Sequence, residues 1–236
     1  MDILKTILKK SYGELHDNLE LFIISNIAWF AFASPFLLIQ AYAFKTDSFG
    51  VWWAIASVAT FLLIPAATAG LFHMTHLVGL YHEADFKDFL AGTRKYFLKS
   101  IAVFAIDFVL IAVLVVNLVF YVRLLPILSG AMRYFVLVAL GFVIWALLFA
   151  LLAQMYLFAV MVIQDTSLVG IVKNAFLLST HNVFVTLILF LISATLSLIW
   201  IISGLGVLCF LGITTSLIGT IAAQEMLKQE QQLEEE

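Results

Sequence analysis

The sequence predicts an all-α fold: a polytopic integral membrane helix bundle of about six transmembrane helices, with additional amphipathic helices at the membrane interface. Of its 236 residues, 64% are hydrophobic and only 11% are charged, and the mean hydropathy is +1.12. Soluble domains are about 45–50% apolar and about 25% charged. The apolar residues also form stretches of about 20 residues, the length that crosses a bilayer as a helix. This composition excludes soluble, disordered and nucleic-acid-binding classes.

Six such stretches follow one another in a single transmembrane domain, which we place at residues 19–224. The first stretch is long for the core of a signal peptide, so we interpret it as a spanning helix and not as a cleaved leader. The last two form one apolar block, which we divide at Gly204 and Gly206 because glycines favour a turn. The predicted spans are 19–44, 49–80, 99–121, 134–163, 183–203 and 205–224.

Shorter segments flank this domain. Residues 1–18 alternate apolar and basic side chains, a pattern that predicts a helix lying in the membrane interface. Residues 225–236 form an acidic tail, which we expect in the cytoplasm. The single cysteine, Cys209, lies in an apolar run, so it has no partner for a disulfide within one chain and is expected to be a buried thiol.

Lysine and arginine residues predict the orientation. With the N-terminus in the cytoplasm, nine of these residues fall in cytoplasmic segments and three in external segments, as the positive-inside rule requires. Six spans then return the C-terminus to the cytoplasm, whereas a five-span alternative would place the acidic tail outside. We therefore expect a multi-pass protein of the cytoplasmic (inner) membrane. The nine residues are Lys5, Lys9, Lys10, Lys87, Arg94, Lys95, Lys99, Lys173 and Lys228; the three are Lys45, Arg123 and Arg133.

Two connectors on the predicted cytoplasmic side are alike. Residues 85–99 (DFKDFLAGTRKYFLK) and 167–181 (SLVGIVKNAFLLSTH) mix apolar and basic side chains, as amphipathic interfacial helices do. Four positions match at an offset of 79 residues: Arg94 with Lys173, Phe97 with Phe176, Leu98 with Leu177, and Ser100 with Ser179. We interpret residues around 49–121 and 134–203 as parallel repeats, as in many transporters; a shared requirement for basic and aromatic residues at the interface is the alternative. The interfacial basic residues are Lys87, Arg94, Lys95, Lys99 and Lys173.

Several different short motifs are distributed from the first span to the start of the fifth. They are NIAW at 26–29, SP at 34–35, PAATAG at 65–70, the aromatic and basic connector containing Phe86, Phe89, Lys95 and Phe97, and KNAFLLS at 173–179. Together they resemble the YesL-like family of uncharacterised bacterial polytopic membrane proteins, over roughly residues 15–225. Members of that family are often encoded near carbohydrate-uptake and two-component systems, so the resemblance implies an accessory role in carbohydrate uptake or sensing. It brings no catalytic residues.

Polar side chains within the spans are costly to place in a membrane and are therefore informative. At about 1.5 Å per residue, five of them lie about 7–13 Å from the inner ends of four different spans. We expect these residues to form one polar intramembrane layer. Its members are Asn26, His73, His76, Asp107 and Gln154.

Asp107 is the most informative member, because a carboxylate at this depth must be paired, hydrated or protonated. The second and third spans are consecutive and antiparallel, so His73 is its predicted partner. The layer is either a cavity that binds a polar solute or relays a proton, or a buried hydrogen-bond network that joins the helices. A metal held by His73, His76 and Asp107, or a haem on one histidine, is a further alternative. We expect neither a metal nor a cofactor, because two histidines three residues apart do not define a zinc site.

The sequence contains no nucleophile elbow, phosphate-binding loop, zinc-protease helix or dinucleotide fingerprint, so we do not expect an enzyme. We expect a non-catalytic accessory or regulatory subunit of a bacterial membrane assembly, linked by the resemblance to carbohydrate uptake. Two alternatives are a small-solute or proton-coupled transporter with a cytoplasm-side polar cavity, and a lipid-binding membrane protein. The expected partners are the lipid bilayer and either protein subunits of a larger complex or further copies of this chain, but no nucleic acid.

Overall fold

A computed structural model describes residues 2–235 and contains ten α-helices, with no β-strand among those residues. The all-helical fold predicted from the sequence is therefore confirmed. The helices are α1 (Asp2–Asp17), α2 (Leu19–Thr46), α3 (Val51–Tyr81), α4 (Phe86–Lys95), α5 (Phe97–Leu124), α6 (Gly130–Gln164), α7 (Leu168–His181), α8 (Val183–Ser203), α9 (Leu205–Cys209) and α10 (Leu211–Glu235).

Within the described residues, four helices have the length and hydropathy to cross a membrane: α3, α5, α6 and α8. Helix α2 adds a fifth if its two parts, Leu19–Phe32 and Ser34–Thr46, form one span bent by 44°. Pro35 lies at this bend, and proline bends helices because it lacks an amide proton and its ring collides with the preceding turn. These helices are those of a multi-pass membrane protein.

The last predicted span is interrupted. The expected turn is present at Gly204, where φ is +67°, a conformation that glycine adopts without strain. Helix α9 then ends at Cys209 and α10 begins at Leu211, so residues 205–224 are not one continuous helix. Helix α10 carries several hydroxyl and amide side chains and continues into a charged segment. By length and composition the spans number four or five in residues 2–235, and six is an approximation.

The two connectors predicted to be amphipathic helices are α4 and α7. Asp85 and Asp88 form a capping box at the start of α4, in which each side chain accepts a hydrogen bond from the backbone of the other residue. Ser167 caps α7 by accepting a hydrogen bond from the amide of Gly170 at 3.2 Å. These caps start each helix soon after α3 and α6 end. We refer to the end of the bundle that holds α4, α7 and the last turns of α3 and α6 as the connector end.

The buried core lies toward the connector end. Helix α3 contributes a run of small buried residues, among them Ala66, Ala69 and Gly70, which lets neighbouring helices approach closely. A Cβ atom on Gly70 would lie 2.6 Å from the carbonyl oxygen of Phe89, so α4 packs directly on α3. Helix α10 fills the centre of this end, where its side chains are almost all buried.

Helix α1 packs against the rest of the bundle. Ile7, Ser11 and Glu14 are buried on one face of α1. Lys10 Nζ donates a hydrogen bond to Glu225 Oε1 of α10 at 3.1 Å, and Glu14 pairs with His82 at the end of α3. A helix is thus present in the segment predicted to be interfacial, but its apolar face is covered by protein, and its place in the membrane interface stays a prediction.

The order of span, short helix and span occurs twice, as α3–α4–α5 and as α6–α7–α8. In the second unit the rings of Phe149 in α6 and Phe176 in α7 lie 6.1 Å apart, so α7 packs on α6 as α4 packs on α3. A duplication of one ancestral unit stays a prediction, because two amphipathic helices at one membrane surface meet the same physical requirements without it.

Candidate functional site

Asn26 is fully buried in α2 and joins the facing ends of α9 and α10. Its Oδ1 accepts hydrogen bonds from the amides of Gly212 at 2.8 Å and Ile213 at 2.9 Å. Its Nδ2 donates to the carbonyl oxygens of Val207 at 2.9 Å and Leu208 at 2.7 Å. Helix ends leave backbone groups without partners, and such groups are costly away from water. Asn26 therefore compensates for the break between α9 and α10.

His73 and His76 face different helices. Gln224 of α10 donates its Nε2 to His76 Nδ1 at 2.9 Å and to the His76 carbonyl oxygen at 3.2 Å. The ring of His73 lies against α4, with the ring centroid of Tyr96 at 5.7 Å. A Cβ atom on Gly92 would lie 2.5 Å from His73 Cβ. His73 Nδ1 is buried and has no hydrogen-bond partner in residues 2–235.

The predicted pair of Asp107 and His73 is wrong. Asp107 Oδ2 instead accepts a hydrogen bond from Gln154 Nε2 of α6 at 2.7 Å. The ring of Phe61 in α3 lies 6.3 Å from that of Phe108, so Asp107 lies near the level of Phe61, and His73 follows Phe61 by twelve residues. Helix α4 folds back along α3, so α5 starts part-way along the bundle. The depths of His73 and Asp107, each counted from the end of its own helix, are therefore not comparable.

The predicted polar layer is thus not one layer but three separate sets. Asn26 belongs to the α9–α10 break, the two histidines belong to the contacts of α3 with α4 and α10, and Asp107 and Gln154 form a pair between α5 and α6. Asp107 and Gln154 each line a cavity, so the candidate binding site is built around this pair.

The first cavity lies between α5, α6 and α7 and has a volume of about 270 Å³. Asp107 is in its wall, and the other lining residues are apolar. Ile106 and Leu110 line it and are also 39% and 42% exposed on the outer surface of α5, so it opens toward the side of the bundle. The space exists because α6 presents Ala146, Ala150 and Ala153 on one face, at the helical spacing of four and three residues.

A second cavity of about 340 Å³ lies between α3, α6, α8 and α10, with Gln154 in its wall. Four hydroxyl side chains also line this cavity: Thr68, Ser193, Ser197 and Thr215. Ser193 Oγ is buried and has no hydrogen-bond partner in the described part of the chain. Gln154 therefore stands between a carboxylate on one side and a group of hydroxyls on the other. Thr215 is expected near the level of the polar layer from its position in the last predicted span, but Ser193 and Ser197 were not expected there, although they stand four residues apart on one face of an apolar span.

The basic residues predicted for the interface lie at the connector end. Four of them are exposed and take part in no ion pair within residues 2–235: Lys87, Arg94, Lys95 and Lys173. The fifth, Lys99, donates a hydrogen bond to Asp165 Oδ1 at 2.6 Å. This bond and the charge of Lys99 hold the pKa of the Asp165 carboxyl below its ordinary value.

Glu14 and Gln224 are two further polar residues that the sequence analysis missed. Glu14 is only 5% exposed and pairs with His82. Glu14 follows Ile7 by seven residues and Ser11 by three, which puts it on the buried face of α1. This helical spacing could have predicted its burial. Gln224 ends an apolar run, and nothing in its spacing indicates that it bonds to His76.

No group of three or more histidine, cysteine, aspartate or glutamate side chains in residues 2–235 could hold a metal ion. The alternative of a metal held by His73, His76 and Asp107 fails, because Asp107 lies with Gln154 on another helix contact. The chain matches no protein-family model, no curated protein and no solved structure.

Proposed function

We propose that the protein is a non-catalytic accessory or regulatory subunit of a membrane assembly. The supporting observation is that polar groups at membrane depth are bonded within the chain's own packing: Asn26 to the ends of α9 and α10, and His76 to Gln224. A solute pathway along the predicted layer would need these groups to face one cavity. They lie at separate helix contacts, which favours a scaffold role over transport along the layer.

The proposal includes a location in the cytoplasmic membrane with the connector end in the cytoplasm. The exposed basic side chains at this end support it, because each lysine or arginine near an anionic leaflet contributes about 1 kcal/mol of attraction. Single cysteines test the orientation in a Cys209→Ala background. A membrane-impermeant maleimide should label Lys45→Cys in intact cells, and Lys87→Cys only after permeabilisation. The reverse pattern would contradict the orientation.

The link to carbohydrate uptake rests on the resemblance to the YesL-like family, and so does the bacterial origin. The transporter and lipid-binding alternatives stay predictions. Partner identity distinguishes the proposals: an accessory subunit of an uptake system should be recovered with proteins that bind or move sugars.

Native mass spectrometry after gentle extraction from the source membrane tests the accessory role. We expect a defined mass in which this 26.3 kDa chain is joined to other proteins. Asp107→Asn is the control variant, because the scaffold role does not use the cavity and the assembly should persist. Recovery of the chain alone, or only with copies of itself, would contradict the proposal.

A further inference from the structure

The cavity between α5, α6 and α7 contains a carboxylate without a cationic partner. Asp107 accepts one hydrogen bond, from Gln154 to Oδ2, and Oδ1 accepts none from the described residues. No lysine, arginine or histidine in residues 2–235 forms an ion pair with Asp107. Lys99, two turns earlier on α5, is bound to Asp165. A carboxylate at membrane depth is stable only when it is protonated, hydrated or paired with a cation. Since no described residue supplies that cation, the site lacks a counter-charge.

The walls of the cavity select for a small apolar body. Its volume of about 270 Å³ exceeds the roughly 150 Å³ that encloses a benzene molecule. It is slightly below the roughly 300 Å³ at which pockets for drug-sized ligands begin. Phe149 and Phe176 line it with their rings 6.1 Å apart, and aromatic faces attract cations as well as other rings.

We propose that this cavity binds a small lipophilic ammonium compound, whose ring or short alkyl body fills the apolar space and whose ammonium group pairs with the Asp107 carboxylate. The opening beside Ile106 and Leu110 lets such a ligand enter from the bilayer. Gln154 is a positioning residue: it holds Oδ2 and leaves Oδ1 for the ligand. The site is independent of the accessory role proposed above.

Fluorine NMR on the full chain in lipid nanodiscs tests this site with two probes of equal shape, para-fluorophenethylamine and para-fluorophenethyl alcohol. Protein-free nanodiscs measure partition into lipid alone. At neutral pH we expect saturable binding of the amine, about tenfold or more tighter than that of the alcohol, because charge-assisted bonds are stronger in an apolar site. Asp107→Asn should remove this preference and leave the binding of the alcohol unchanged.

Two further variants separate the site from general effects on the protein. Asp165→Asn removes an exposed carboxylate at the connector end and should leave the affinity for the amine unchanged. Ala146→Phe fills the cavity and should abolish binding of both probes, while the helical circular dichroism stays that of the unsubstituted protein; if that variant does not fold, Asp107→Asn still decides. An amine signal equal to that of protein-free nanodiscs, or unchanged by Asp107→Asn, would overturn the proposal, whatever native mass spectrometry shows about partners.

Discussion

The α9–α10 break and the cavity between α5, α6 and α7 each contain one polar side chain of an apolar helix. The two side chains differ in their burial and in the number of hydrogen bonds that they make. Asn26 is fully buried, and its Oδ1 and Nδ2 together bond to four backbone groups. Asp107 is partly exposed, accepts one hydrogen bond and borders open space. The number of bonds made within the chain therefore separates a structural residue from a candidate binding residue better than depth does.

The largest expected effect is at Asn26. Asn26→Leu leaves four backbone groups of α9 and α10 without partners, and each buried group without a partner costs about 1–3 kcal/mol. We expect a loss of about 3 kcal/mol or more in the free energy of unfolding, measured by circular dichroism in a denaturant titration of the detergent-solubilised protein.

Asn117→Leu is the matched control, because Asn117 Nδ2 donates only to the carbonyl of Val113 within its own helix, at 2.8 Å. It should change stability by no more than about 0.5 kcal/mol. Equal stability of Asn26→Leu and Asn117→Leu would show that Asn26 does not compensate for the break.

Adding atoms should destabilise the α9–α10 break but not the cavity. A Cβ atom on Gly212 would lie 2.8 Å from Leu71 Cδ1 and 3.1 Å from Asn26 Oδ1, so Gly212→Ala should destabilise the protein by about 1–3 kcal/mol through overpacking. Ala150→Val adds two methyl groups beside the Asp107 cavity and should be neutral, or stabilising by up to about 1 kcal/mol, because cavity filling adds contacts.

Gly141→Ala controls for helix propensity, because a Cβ atom there would meet nothing within 4 Å. It should stabilise α6 by about 0.5–1 kcal/mol. The same denaturant titration measures all three variants. If Ala150→Val and Gly212→Ala were equally destabilising, the cavity would not be open space in solution.

The long helices were predictable because composition alone defines them. The predicted spans 49–80 and 99–121 differ from α3 and α5 by at most three residues at either end, and the turn at Gly204 followed from glycine chemistry. The break at Phe210 was not predictable, because it lies within an unbroken apolar run. Only Asn26, a polar residue almost two hundred positions away, makes the break tolerable, and no local pattern connects the two.

The candidate site was half predictable. Asp107 and Gln154 were both expected at membrane depth, because apolar spans rarely carry such residues. Their pairing was missed because neighbours in the chain were assumed to be partners. Gly92 of α4 packs closely against His73, so His73 faces α4. This contact depends on tertiary packing that one sequence does not display.

A smaller effect tests the Asp107–Gln154 bond itself. In a double-mutant cycle of Asp107→Leu and Gln154→Leu, each of which removes the hydrogen bond, we expect a coupling energy of about 0.6 kcal/mol and at most about 1.7 kcal/mol, the range measured for hydrogen bonds between membrane helices. Asp107→Asn alone should cost less than about 1 kcal/mol, because the side-chain amide oxygen that it introduces can still accept from Gln154. A coupling energy of zero would contradict the observed bond.

The smallest expected effect lies outside the spans, where α1 docks on α10. Partial burial would raise the pKa of Glu225, but the hydrogen bond and charge of Lys10, with a further contribution from Lys228, hold the pKa below its ordinary value. Because the folded-state pKa is lowered, this stabilisation is complete above the unfolded pKa of about 4.5 and is lost as pH falls through the folded value.

Since partly exposed ion pairs contribute only about 0.2–1 kcal/mol, the acid slope of the unfolding free energy due to Glu225 should be shallow. Glu225→Gln should remove it, and Asp85→Asn, which lies at the cap of α4 and not at the α1–α10 contact, should leave it in place. The measurement is the same denaturant titration, repeated from neutral pH into the acid range. An unchanged slope in Glu225→Gln would mean that α1 is held on the bundle by burial of its apolar face, with Ile7 fully covered, and not by charge. The contact of α1 would then depend on apolar burial, in contrast to the α9–α10 break, which depends on the hydrogen bonds of Asn26.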